Sequence, residues 1–131
     1  MLSLKNISII LFLDCNLLKV TLKNFRGKST RLQGMYGFNQ ITNGRGTWKS
    51  NSSAIWYSPY YQSWIIGHLD DIGSRHFEIM SNGNQYNKSL LAVPDGQWRY
   101  YPRNGGHYKN ISSGDITFKC MADSGKESFN N

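Results

Sequence analysis

The chain has 131 residues, enough for one domain with its own core and too few for two, so mechanisms that need a domain interface are excluded. Aromatic residues make up 14% and charged residues only 18%, a balance that excludes a disordered chain and a long solvated helix or coiled coil. The net charge of +7 is carried by residues 16–49, where Lys19, Lys23, Arg26, Lys28, Arg31, Arg45 and Lys49 meet no acid, while the rest of the chain sums to zero. Such asymmetry predicts a one-sided positive field that attracts anionic polysaccharide, nucleic acid, lipid or acidic protein.

In chain order, Met1–Asp14 comes first. Its apolar run from Ile7 to Leu13 is too short to span a bilayer, which needs about 20 residues, and matches a short signal-peptide core, although the small residues of a cleavage site are missing. A buried first strand is the alternative. Cys15 and Cys120 bracket most of the remaining chain. In a secreted protein, a bridge between them would close a loop of about a hundred residues, worth about 4 kcal/mol; in a reducing compartment both would be thiols. No Cys/His spacing fits a structural zinc site, and no metal or cofactor is expected. The sequons at Asn51, Asn87 and Asn110 sit in polar stretches, as glycan acceptors should.

Leu18 to Lys23 alternates apolar and basic residues, placing Leu18, Val20 and Leu22 inward and Lys19, Thr21 and Lys23 toward water. A basic loop from Arg26 to Arg31 leads to a strand through Tyr36 and Phe38. Asn43-Gly44 is a hairpin turn signal, because both central residues of a type I′ turn need positive φ. Two aromatic strands come next, Ala54–Tyr57 and Ser63–Ile66, joined by a loop whose Pro59 ends the first. Further strands are expected at His76–Met80, at Gln97–Tyr101 and at Asp115–Cys120, with a stretch from Asn84 to Lys88 leading to Leu90–Val93 between the first two, and turns at Asn82-Gly83, Pro94-Asp95-Gly96 and Asn104-Gly105-Gly106. The predicted fold is therefore all-β: a single small antiparallel barrel or sandwich of about eight short strands. Residues 15–120 form the module, and residues 121–131 a polar tail.

Laid end to end along this framework are Cys15 with the strand LKVTL, Gly34 and Tyr36, N-G-R at Asn43 to Arg45 with Trp48, Trp56-Tyr57, Tyr60-Tyr61, W-I-I-G from Trp64 to Gly67, Pro94, Trp98, and I-T-F-K-C from Ile116 to Cys120. Together they resemble small Cys-bounded β modules of invertebrate and protist secreted and cell-surface proteins. Gly46 replaces the Pro that those modules usually place after N-G-R, and Val93 stands where some carry a further Cys, so a second bridge is missing. The resemblance implies an extracellular adhesion or ligand-binding unit and brings no catalytic residues.

The expected function is thus a secreted, monomeric, non-catalytic module that recognises an extracellular anionic polysaccharide, glycan or acidic protein, with no membrane span in the mature chain. Lys19, Lys23, Arg26, Lys28, Arg31 and Arg45 would supply the electrostatic attraction. Trp48, beside two cations after a turn, and Tyr60 with Tyr61 in a strand-end loop would supply contact area. Trp56, Trp64 and Trp98 are expected in the core. Two other classes of function remain open: a small basic hydrolase of ribonuclease type, using two of His68, His76 and His107, and an intracellular nucleic-acid binder that uses the same cations with stacked aromatics. Asp70, Asp71 and Glu78 lack the calcium-loop pattern and read as solvated charges.

Overall fold

A computed structural model of the chain describes residues 15–25, 27–83, 85, 88–101 and 107–122. The expected leader at residues 1–14, Arg26, Asn87, the expected turn at residues 104–106 and the chain beyond Ala122 lie outside the described residues, as does the side chain of Lys28.

The fold is all-β, and its strands form one continuous sheet. In chain order the strands are β1 (Leu17–Leu22), β2 (Gly34–Thr42), β3 (Arg45–Lys49), β4 (Ser53–Ser58), β5 (Ser63–His68), β6 (Ile79–Ser81), β7 (Trp98–Tyr100), β8 (Lys109–Ile111) and β9 (Ile116–Ala122). The sheet order is β8-β7-β6-β5-β4-β3-β2-β1-β9, with every neighbouring pair antiparallel. Each strand from β1 to β8 therefore pairs with its sequence neighbour, and only β9 returns across the sheet to cover β1.

Parity then fixes how the sheet ends. β8 and β9 both run opposite to β1, so the edge strands share one sense, and the chain passes between them through the turn Ser112–Asp115. The two ends of the sheet meet through side chains, Trp98 of β7, next to the edge, packing on Phe118 of β9 with ring centroids 4.9 Å apart. Curling in this way gives the sheet an inner and an outer face.

Inside lie Leu18 and Val20 of β1, Tyr36 of β2, Trp48 of β3, Ile55 and Tyr57 of β4, Trp64 and Ile66 of β5, Ile79, Trp98, Ile111 and Ile116. Their period of two comes from the pleat, which sends successive side chains to opposite faces. β4 and β5 are buried on both faces, which accounts for their unbroken apolar character. On their outer side Ala54, Trp56, Ile65 and Met80 form a second cluster, roofed by Leu69, Ile72 and Phe77 from the β5–β6 loop. Gly67 makes that roof possible: a Cβ there would lie 3.1 Å from the Trp56 ring and 3.6 Å from the backbone of His76 and Phe77. The Trp56 indole holds the loop from below, donating to the Ser74 carbonyl at 3.4 Å.

Cys15 and Cys120 form a disulfide, so the entry to β1 is tied to the last strand. A 3-10 turn over Gly27–Leu32 packs Leu32 into the core. There the Leu32 carbonyl accepts from the Tyr36 phenol at 2.6 Å, and burial raises that phenol's pKa above its ordinary value. The Asn43-Gly44 turn has φ of 55° and 82° at its two central residues, as expected for type I′.

Leu90–Ala92 is a 3-10 turn whose single buried residue, Leu90, anchors the loop. Two expectations are corrected. β8 is an additional strand that its sequence, Lys-Asn-Ile, hides by having one inward apolar residue. β9 extends through Met121 and Ala122, so the module's last strand runs past Cys120 into what was expected to be tail.

The β8–β9 turn is held by Asp95, whose carboxylate accepts from the Ser113 hydroxyl at 2.7 Å and from the Gly114 N–H at 3.0 Å. These bonds, the Ser113 one foremost, hold the Asp95 carboxyl below the ordinary aspartate value of 3.8. The bond to the ionised form is therefore complete above that value and is lost as pH falls through the lower folded-state pKa. Ser113→Ala is expected to move the Asp95 titration upward in an NMR pH series; an unmoved titration would show that the hydroxyl does not stabilise the carboxylate.

Candidate functional site

The most prominent surface feature is a row of aromatic rings on the outer side of the sheet. It starts in the β4–β5 loop, where Gln62 turns the chain with φ 53° and the Tyr61 N–H donates to Ser58 Oγ at 3.3 Å. Tyr60 and Tyr61 meet edge to face with centroids 4.9 Å apart. Tyr61 meets Phe77 at 5.7 Å, Phe77 stacks on Tyr108 at 5.7 Å and 23°, and Tyr108 meets Tyr101 at 5.1 Å. The row thus draws on three connections: the β4–β5 loop, the β5–β6 loop and the two ends of the β7–β8 segment.

Two arginines flank the rings. The Arg75 guanidinium lies 4.3 Å from the Tyr60 centroid, and that of Arg99, pointing outward from β7, lies 4.5 Å from the Tyr108 centroid. Tyr60, Tyr101 and Tyr108 are 66%, 50% and 43% exposed, while Tyr61 and Phe77 are half-buried. Burial of the inner two rings fixes the row, because Phe77 is part of the roof over Trp56 and Ile65. Exposed rings held rigidly offer apolar area at little entropic cost, and the stacked guanidinium groups add hydrogen-bond donors in one plane.

The cations expected to form one patch are divided. Lys19 points outward from β1 and lies directly opposite Lys119 of β9 on one side and Met35 of β2 on the other. Like charges face to face across two strands repel, and this pair is exposed, so an anion between them would relieve the repulsion. Lys23 is exposed just beyond β1. Arg31 is engaged instead: its guanidinium forms a two-pronged salt bridge with Glu78, which straps the 3-10 turn to the segment before β6. Arg45 sits at the β2–β3 hairpin, stacks 4.0 Å from the Tyr57 centroid and donates to the Lys88 carbonyl at 2.9 Å.

Trp48 is the clearest correction. Expected at the surface, it is only 4% exposed, and its indole donates to the Cys15 carbonyl at 3.0 Å. Register explains this: Trp48 lies opposite Phe38 on β2 and Ile55 on β4, both on the inner face. Trp56, Trp64 and Trp98 are in the core as expected. Tyr60 and Tyr61 were identified from the sequence, but Arg75, Phe77, Arg99, Tyr101 and Tyr108 were not. Only the doublet Tyr100-Tyr101 beside Arg99 offered a sequence signal for them.

Of the sequon asparagines described, Asn51 and Asn110 are both exposed. His68 and His76 each face an aspartate of their own loop, His68 Nδ1 lying 3.5 Å from Asp70 and His76 Nδ1 3.6 Å from Asp71, while His107 is exposed near Tyr108 in sequence. Among the described residues no helix is long and apolar enough to cross a membrane, and no group of three metal-ligating side chains converges. Searches against protein-family models, curated proteins and solved structures found no match to this chain.

Proposed function

We propose that this chain is an extracellular, non-catalytic binding module for an acidic glycan. The observation that carries the reading is the row from Tyr60 to Tyr101 with Arg75 and Arg99 stacked on its rings. Sugar rings present apolar C–H faces that pack on aromatic side chains, and carboxylate or sulfate groups on the same sugars match the planar donors of arginine. The Lys19–Lys119 pair adds a longer-range attraction. The disulfide supports an extracellular setting, because such bridges persist in oxidising compartments, and the resemblance to Cys-bounded secreted modules agrees with it.

The test is binding of the full chain to sulfated, uronate-bearing and neutral glycans at two salt concentrations. Binding is expected to favour the acidic glycans and to weaken with salt. The double variant Tyr60→Ala/Tyr108→Ala should weaken it by about tenfold or more, since stacked rings contribute on the order of 1 kcal/mol each. Lys19→Glu should flatten the salt dependence. Unchanged affinity in the double variant would overturn the reading, as would preferential binding of single-stranded nucleic acid, which stacks on aromatic rows by the same physics.

A further inference from the structure

Among the described residues, no ladder fills the gap where the edges of the sheet approach each other, because β8 pairs with β7 and β9 with β1. The seam contains a cleft of about 360 Å³, bordered by Asn24, Phe25, Tyr100, Asn110, Ser112 and Asp115. This volume lies at the small end of the ~300–1,000 Å³ typical of ligand pockets, room for one ring and its hydration within the cleft.

The lining is chemically divided. Phe25 and Tyr100 form one wall, with centroids 5.4 Å apart and planes inclined at 56°. Facing them are polar groups held in place by the fold. Asp115 is anchored through its backbone carbonyl, which accepts from Lys23 N–H at 2.8 Å, and through Oδ1, which accepts from Asn24 Nδ2 at 3.1 Å. Asn24 makes that bond from a left-handed conformation, φ 63°, which asparagine tolerates better than most residues. On β8, Asn110 Oδ1 accepts from Asn82 Nδ2 at 3.2 Å, which orients its amide and leaves Nδ2 as a donor.

We infer that the seam cleft is a binding site for a single uncharged pyranose residue. Hydroxyl groups would donate to the free oxygen of Asp115 and accept from the Asn110 amide, while the C–H face of the ring lies against Phe25 and Tyr100. The lining disfavours two other ligand classes. An anion would be opposed by Asp115, and a wholly apolar ligand would strip water from Asp115 and Asn110 without replacing it. This inference does not rest on the ring row, which shares none of the residues bordering the cleft. The sugar has two possible sources, a free glycan or a glycan attached to Asn110 itself, since Asn110 and Ser112 form a sequon at the cleft rim.

The experiment uses the full chain secreted into a bacterial periplasm, where the disulfide forms and N-glycans do not. Saturation-transfer NMR with a panel of methyl pyranosides is expected to show binding by at least one of them, with amide shifts centred on Phe25, Tyr100 and Asn110. Asp115→Asn, which keeps the shape, and Ser112→Tyr, which fills the cleft from an exposed position, should each weaken binding by about tenfold, with melting temperatures near that of the parent. Tyr60→Ala/Tyr108→Ala should leave pyranoside binding unchanged, so failure here is distinguishable from failure of the acidic-glycan reading. Loss of binding in the glycosylated chain, restored by Ser112→Ala, which removes the sequon and keeps the Asn110 amide, would make the chain's own glycan the occupant of the same site. No binding by any pyranoside, shifts centred elsewhere, or full affinity in both cleft variants would overturn the inference.

Discussion

Replacing Cys15 and Cys120 together by alanine is expected to lower the free energy of unfolding by about 4 kcal/mol, among the largest losses available to a domain of this size. The bridge joins residues 105 apart in sequence, so in the unfolded chain it removes the freedom of nearly the whole module. In the folded chain it adds little that pairing does not already provide, because Leu18 of β1 lies opposite Cys120 and the two strands stay in register through Leu22 and Ile116. The effect should therefore appear as a change in the unfolded state. Urea denaturation would show a lower midpoint and also a steeper dependence on urea, since the uncrosslinked unfolded chain exposes more surface. A loss below about 1 kcal/mol would mean that the β1–β9 pair persists after unfolding and that the loop-entropy argument does not apply to this chain.

Trp64→Ala is expected to cost about 3–5 kcal/mol. The side chain is only 2% exposed and packs edge to face on Tyr57 at 5.5 Å and against Trp48 at 6.1 Å, so its removal opens a cavity in the middle of the inner face. Its indole also donates to the Lys88 carbonyl at 3.0 Å, pinning the connection that leads from β6 toward Leu90. Trp64→Phe separates the two contributions: it retains most ring packing and loses the hydrogen bond, for which a cost of about 1 kcal/mol is expected beyond the reduced area. Equilibrium denaturation of both variants checks the pair. Equal destabilisation would assign the whole effect to the hydrogen bond, and a small effect from both would mean that the inner face repacks around the gap.

Much of the framework was legible because a pleated strand with one buried face writes a period of two into its residues. Leu18, Val20 and Leu22 obeyed that rule, as did the outward positions of Lys19 and Thr21. Asn43-Gly44 was legible because few residue pairs accept positive φ twice in succession. The site was less legible. Tyr60 and Tyr61 stood out as an aromatic pair in a strand-end loop, yet their neighbours in the row come from segments well separated in sequence and carry no shared motif.

The sequence by itself determined the all-β class, the inward alternation of the strands, the hairpin turn and the burial of Trp56, Trp64 and Trp98, since each depends on local stereochemistry or on how much apolar area a side chain must hide. The tertiary structure decided what depends on contacts between distant segments. It placed Trp48 inside by aligning it between Phe38 and Ile55, paired Arg31 with Glu78, and set Lys119 against Lys19. Through the roof over β4 and β5 it assembled the ring row, and by bringing together two edge strands of the same sense it left the seam cleft. Those outcomes are set by register and by where loops fold back, and neither is encoded in the residues nearby.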